Sequence, residues 1–167
     1  DGDFVVFESL ACLLYLDRKY PEPPIFGRTP EEAGTIMRVI CEYQAYAESQ
    51  LTQIVSAVFF ENMDERVEEI TRATHVVASE ARTIEGRLSK SDWLVGEHVS
   101  AADMVVFPGI MLLLRAMEKR EAGDLRSRFL PMETTYPALA RWIERMSSLP
   151  GYERTYPPHW RDGAPRG

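Results

Sequence analysis

Cysteine, histidine and unbroken apolar sequence are all scarce in this chain, and each scarcity removes a class of protein. Two cysteines, Cys12 and Cys41, among 167 residues are too few for a disulfide framework; both fall in apolar helical stretches and read as buried, reduced thiols. The three histidines, His75, His98 and His159, lie far apart, and none pairs with Cys, Asp or Glu at metal-ligand spacing, so no metal site is expected. The longest apolar run, Met104 to Leu114, is broken by Pro108 and Gly109 and is shorter than the roughly 20 residues a bilayer span needs. No Gly-rich phosphate loop or Gly-x-Ser-x-Gly elbow is present, and no internal repeat or low-complexity tract. Cationic residues are outnumbered, 19 against 26 acidic, for a net charge of −7, which argues against nucleic acid or an anionic membrane surface as partner. No positively charged n-region opens the chain, so a soluble cytoplasmic protein is expected.

What is present is apolar sequence at helical spacing. A hydrophobic content of 45% suffices for one sizeable core. Asp1-Gly2-Asp3 followed by Phe4 to Phe7 reads as a turn and one short strand, with no second strand after it. A lone strand leaves backbone groups unpaired, so a sheet is expected to precede Asp1. Glu8 to Lys19 is helical by the spacing of Leu10, Leu13, Leu14 and Leu16, and the prolines at 21, 23 and 24 stop it. Thr29 as cap, Pro30 at the first helical position, and Glu31 and Glu32 at the positive dipole end start a long helix running to about Phe60. Its inner stripe is Ile36, Ile40, Tyr43, Ala47, Leu51, Ile54 and Val58. A further helix, Met63 to Leu88, carries Val67, Ile70, Thr74, Val77, Ala81, Ile84 and Leu88; bundle packing accounts for this repeat more simply than a coiled coil.

A central helix is expected over 100–119, apolar nearly all round in its first half and therefore buried on all sides, with a kink at Pro108. The charged stretch 118–128 reads as a solvated helix end and loop. The last helix opens at Tyr136-Pro137 and ends at Leu149-Pro150-Gly151, leaving Tyr156 to Trp160 extended and 161–167 disordered. Asp92 to Met104 is the sharpest local signal: Ser100 and Asp103 form a capping box, with Val99 and Met104 placed for a hydrophobic staple. Its plain role is to nucleate the central helix.

Trp93-Leu94-Val95-Gly96 followed by Val99-Ser100-Ala101-Ala102-Asp103 resembles the signature of the C-terminal helical domain of glutathione S-transferases. Phe7-Glu8-Ser9 and the apolar helix after it, ending at Tyr20-Pro21, resemble the end of the family's thioredoxin-like half, and Pro137 to Tyr152 its penultimate helix. The resemblance spans Asp3 to about Trp160. It implies an all-α fold: a remnant strand and helix of a thioredoxin-like domain (1–20), a linker (21–29), a glutathione S-transferase C-terminal-like helical bundle (30–160) and a tail (161–167).

The resemblance also implies roles. Glu8 and Ser9 match the pair that holds the γ-glutamyl end of glutathione, where the bland alternative is that they merely cap their helix. Tyr46, Ser49, Gln50 and Gln53, off the core stripe, are candidate pocket groups for the electrophilic co-substrate; so are Phe107 and Met111, for which core packing is the plainer reading. The thiol-activating Ser, Tyr or Cys of the family would lie upstream of Asp1. The expected activity is transfer of the glutathione thiolate to a small electrophile by a homodimer, without metal. The alternative is a non-catalytic protein-interaction module of the same family.

Overall fold

The computed structural model describes residues 1–161, and all regular structure among them is helical. The α1 helix (Ser9–Lys19) is followed by a connection and then by the long pair that frames the bundle. Thr29 Oγ1 accepts from the Glu32 amide at 3.2 Å, and Pro30 opens α2 (Pro30–Glu42) as its first residue. The anticipated single helix to Phe60 does continue, but through one π-helical turn at Tyr43–Glu48 before α3 (Ser49–Phe59). There the Tyr43 phenol lies so close to the backbone of the central helix that a Cβ on Gly109 would overlap its hydroxyl. Every residue of the expected inner stripe, Ile36 to Val58, is buried.

A short 3-10 turn (Met63–Glu65) precedes α4 (Val67–Leu88), so this helix starts later than its periodicity suggests. Ile70, Thr74, Val77, Ala81 and Leu88 are buried, whereas Val67 is exposed and Ile84 half-buried. The Thr74 hydroxyl returns to the Ile70 carbonyl at 2.6 Å, which lets a polar side chain sit in the apolar seam. Arg87 of α4 pairs with Glu42 of α2.

The central helix α5 (Ala101–Met117) packs against α2 and α3. Beyond it come a 3-10 segment (Arg120–Leu125), α6 (Arg126–Phe129), α7 (Met132–Thr135) and α8 (Pro137–Ser147). The Glu85 carboxylate of α4 accepts from the amides of Ala138 and Leu139 at 2.9 and 2.8 Å, capping α8 from a neighbouring helix.

Several expectations are corrected. Phe4 to Phe7 is not a β-strand, because it has no ladder partner among the described residues; Phe4, Val5 and Phe7 stand exposed. The 21–29 connection is anchored: buried Asp17 accepts from the amides of Ile25 (2.8 Å) and Phe26 (3.2 Å), and the Ile25 carbonyl accepts from Ala101 at 2.7 Å. Neither cysteine is buried. Cys41 follows Ile40 onto the outer face of α2, and Cys12 is half-buried. Pro108 is exposed, and α5 runs on through it. The proline and the Met104 carbonyl it leaves without an intrahelical donor share one open face. A short helix, α9 (Tyr152–Thr155), precedes the segment expected to be extended; Tyr156 is extended, but the chain turns helical again as α10 (Pro158–Arg161), with Pro158 at a helix start, where its missing N–H does no harm. The expectation of a disordered tail otherwise falls outside the described residues.

Candidate active site

The first half of α5 is apolar on more faces than the bundle can cover. Ala102, Val106, Ile110 and Leu113 are buried in the core, while Met104 and Met111 are half-buried and Pro108 is exposed. That open face forms one wall of a cavity of about 570 Å³, within the range of small-molecule sites. Met146, Leu149 and Pro150 close it from the end of α8, and residues of α9 and α10 close it from above. Gly151 makes the reversal between these walls: its φ of 89° is left-handed and disfavours a residue with a Cβ.

Rings hold the upper wall down. Trp142, Phe107, Tyr152, Tyr156 and Trp160 form a chain of edge-to-face pairs with centroid separations of 5.6, 5.7, 6.0 and 5.8 Å, the geometry the ring quadrupoles favour. Burial pushes the Tyr152 phenol above its ordinary pKa, more than the hydrogen bond with Ser147 lowers it. At the far end the Arg115 guanidinium lies 4.8 Å from the Trp160 ring centroid. Among the described residues the lining contains no carboxylate, and its one charged residue is Arg154.

Underneath, Asp103 fixes the start of α5. The Ser100–Asp103 capping box forms, and the fully buried carboxylate does more. It accepts from the amides of Leu94 (3.0 Å) and Ser100 (2.9 Å), the Ser100 hydroxyl (2.8 Å) and the Trp142 indole N–H (2.8 Å). One side chain thus ties the preceding loop, the helix start and α8 together, and with them the first ring of the aromatic chain.

The family model described as "Glutathione S-transferase, C-terminal domain" matches residues 49–150. The chain belongs to the glutathione S-transferase family. It is similar to glutathione S-transferase F10 of Arabidopsis thaliana, 33% identical over 115 residues that cover 65% of this chain and 53% of that protein. Glutathione S-transferase F9 of the same plant is 26% identical over 162 residues, covering 93% and 70%. The chain therefore spans between about half and seven-tenths of the length of these transferases. In fold it superposes on the crystal structure of poplar glutathione transferase F1 with a TM-score of 0.76 at 18% identity, covering 98% of this chain and 72% of that one. A glutathione transferase of Burkholderia graminis, solved with two glutathione molecules per subunit, gives a TM-score of 0.74 at 20% identity, covering 89% and 58%.

Against this transferase fold the sequence-derived candidates separate. Phe107 and Met111 line the cavity; Phe107 is also a core residue. Tyr46 and Ser49 are exposed, and Gln50 and Gln53 half-buried, on the π turn and α3; none lines the cavity, and Gln50 Nε2 donates to Ser49 Oγ at 3.4 Å. Glu8 and Ser9 are exposed at the start of α1. Glu8 holds φ 71° and ψ 120°, and its side chain makes no cap hydrogen bond. The first-turn amides of α1 are left without that partner, an arrangement suited to a carboxylate. His75 and His98 are exposed, and His159 lies outside the described side chains. Among the described residues no cluster of three or more potential ligands could hold a metal. No helix there is long and apolar enough to cross a membrane. Sequence reasoning missed Tyr152, Tyr156 and Trp160 as cavity walls, although their four-residue spacing is helical and was there to be read.

Proposed function

We propose that this chain is the helical part of a glutathione transferase and that the α5 cavity receives the electrophilic co-substrate. The observation that carries the reading is that cavity: a ligand-sized, aromatic and methionine-lined space in a member of the family. Glutathione is the second substrate, its γ-glutamyl carboxylate at the amides and hydroxyl of Ser9 and its ammonium group paired with Glu8. The strained backbone at Glu8 supports this, since a costly conformation persists where its surroundings require it. A thioredoxin-like domain N-terminal to Asp1 supplies the hydrogen bond that favours thiolate. The thiolate sulfur attacks an electrophilic carbon, the C–S bond forms, and the leaving group departs with the electrons of its own bond. The thiol proton passes to solvent.

The same domain covers the exposed apolar residues Phe4, Val5, Phe7, Leu14 and Leu16. A homodimer forms through outer faces of the long helices, where Tyr46, Phe60, Val67 and Val76 are exposed. The exposed apolar residues also suit the interaction-module reading, in which the cover is another protein. Conjugation of glutathione to 1-chloro-2,4-dinitrobenzene separates the two. The longer polypeptide catalyses it and residues 1–167 alone stay at the uncatalysed rate; a longer polypeptide that is equally inactive leaves the module reading.

A further inference from the structure

Asp17 is the one buried residue of α1, a helix that leaves Leu14 and Leu16 exposed. We propose that it is a positioning residue, which sets the register between the glutathione end of α1 and the start of α5 without touching either substrate; this rests on the transferase reading above. A buried carboxylate is costly unless hydrogen bonds compensate it, and those of Asp17 lead out of its own helix. Oδ1 accepts from the amides of both Ile25 (2.8 Å) and Phe26 (3.2 Å), bonds that the carboxylate charge strengthens. Its cationic neighbour, Arg18, stays 3.9 Å away with a side chain 75% exposed, and such a pair contributes little.

The same segment holds the start of α5. The Ile25 carbonyl accepts at 2.7 Å from Ala101, the first residue of α5, whose amide has no acceptor within its own helix. Phe26 is buried in the core and Ile25 packs against it. Beyond them the chain turns at Gly27 with φ 86°, so close to α2 that a Cβ there would lie 2.7 Å from that of Glu32. The connection therefore has no slack on that side. Ser9 stands about two turns before Asp17, about 12 Å along α1, and Met104 and Phe107 begin the cavity wall in the first two turns of α5. A hydrogen-bonded path from Asp17 through Ile25 to Ala101 thus joins the two half-sites. Each half-site is built on its own helix and survives loss of the path. What is lost is their alignment, on which attack of the sulfur on carbon depends.

Asp17→Ala in the full-length protein tests this, with glutathione and 1-chloro-2,4-dinitrobenzene as substrates. The single-turnover rate constant at saturating glutathione and enzyme is expected to fall at least about ten-fold. The affinity for glutathione by titration calorimetry and the KM for the electrophile are expected to change less than about two-fold. That rate constant does not depend on the fraction of protein folded, so Glu85→Ala, which weakens the cap of α8 instead, should leave it unchanged. Asp17→Asn keeps an acceptor for both amides and should restore most of the rate. Hydrogen exchange gives a second readout: Asp17→Ala should speed exchange of the Ala101 amide, which Asp17 does not touch, by about ten-fold or more. If Asp17→Ala does not fold, Ala101→Pro cuts the path at its other end, since proline suits a first helical position but offers the Ile25 carbonyl no N–H. It should slow the rate alike and speed exchange at Ile25 and Phe26. An unchanged rate, an equal loss in Glu85→Ala, or unaltered exchange at the far end of the path would overturn the proposal. Wild-type protein without conjugating activity would remove the transferase reading instead, and the exchange measurement alone would then decide the link between the helices.

Discussion

Replacing Asp103 tests whether the start of α5 is a hub or only a cap. In Asp103→Ala the amides of Leu94 and Ser100 and the indole N–H of Trp142 lose their acceptor, and all three residues are buried. The Ser100 hydroxyl can rotate to another acceptor and is left out. At about 1–3 kcal/mol per orphaned buried donor, three donors put the loss near 5 kcal/mol, against a total stability on the order of 5–15 kcal/mol. For a chain of this size that lowers Tm by about 10–20 °C. A plain cap would cost about 1 kcal/mol. Since Asp103→Ala can fail to fold, Asp103→Asn, which keeps one carbonyl oxygen, and Trp142→Phe, which removes one donor, complete a cycle followed by urea unfolding and far-UV circular dichroism. Each single change is expected to cost about 1–3 kcal/mol, and the double change less than their sum by about 1 kcal/mol. Additivity within about 0.5 kcal/mol would refute the shared hub.

Other expectations follow from the same contacts. Glu85→Ala should cost about 1–2 kcal/mol by thermal unfolding, since the Ala138 and Leu139 amides lose their only side-chain cap; Glu85→Gln should recover part of it. Gly109→Ala should destabilise by about 1–3 kcal/mol through overlap with the Tyr43 hydroxyl, despite alanine's better helix propensity, and the loss should shrink in a Tyr43→Phe background. Gly34→Ala and Gly86→Ala, where nothing stands within 4 Å of the added Cβ, should stabilise by about 0.5–1 kcal/mol. Burial first, and Glu48 second, push the Tyr43 pKa from 10.0 to about 12. The folded state then holds that proton more tightly than the unfolded one, so stability is full below pH 10 and declines as pH rises towards 12. Tyr43→Phe should flatten that alkaline decline in a pH series of Tm values; Tyr136 and Tyr152, raised mainly by burial, contribute in the same direction and remain.

Much of the fold was legible because the stripes of the long helices and the capping box are local signals. The seven stripe residues of the α2–α3 helix are all buried, as a 3-4 alternation requires. What was not legible depended on contacts distant in sequence. The π turn occurs where Tyr43 meets Gly109, and no periodicity of 30–60 carries that information. The short helix after Gly151 is held by the Phe107 ring of α5, which meets Tyr152 edge to face, a contact that the local sequence of 152–160 does not carry. Asp103 was read as a cap because its spacing to Ser100 is three residues; the bond to Trp142 is thirty-nine residues away. For the candidate site, Phe107 and Met111 were found on the cavity wall. The polar residues of the long helix lie elsewhere, because leaving a core stripe says nothing about which cavity a residue faces.

The most direct test of the account is the split of Michaelis constants for the full-length protein, with glutathione and 1-chloro-2,4-dinitrobenzene varied in turn. Glu8→Gln should raise KM for glutathione several-fold and leave that for the electrophile unchanged, whereas Met111→Gln should do the reverse. Wild-type protein without conjugating activity, or a Met111→Gln variant with both constants unaltered, would contradict the placement of the electrophile in the α5 cavity.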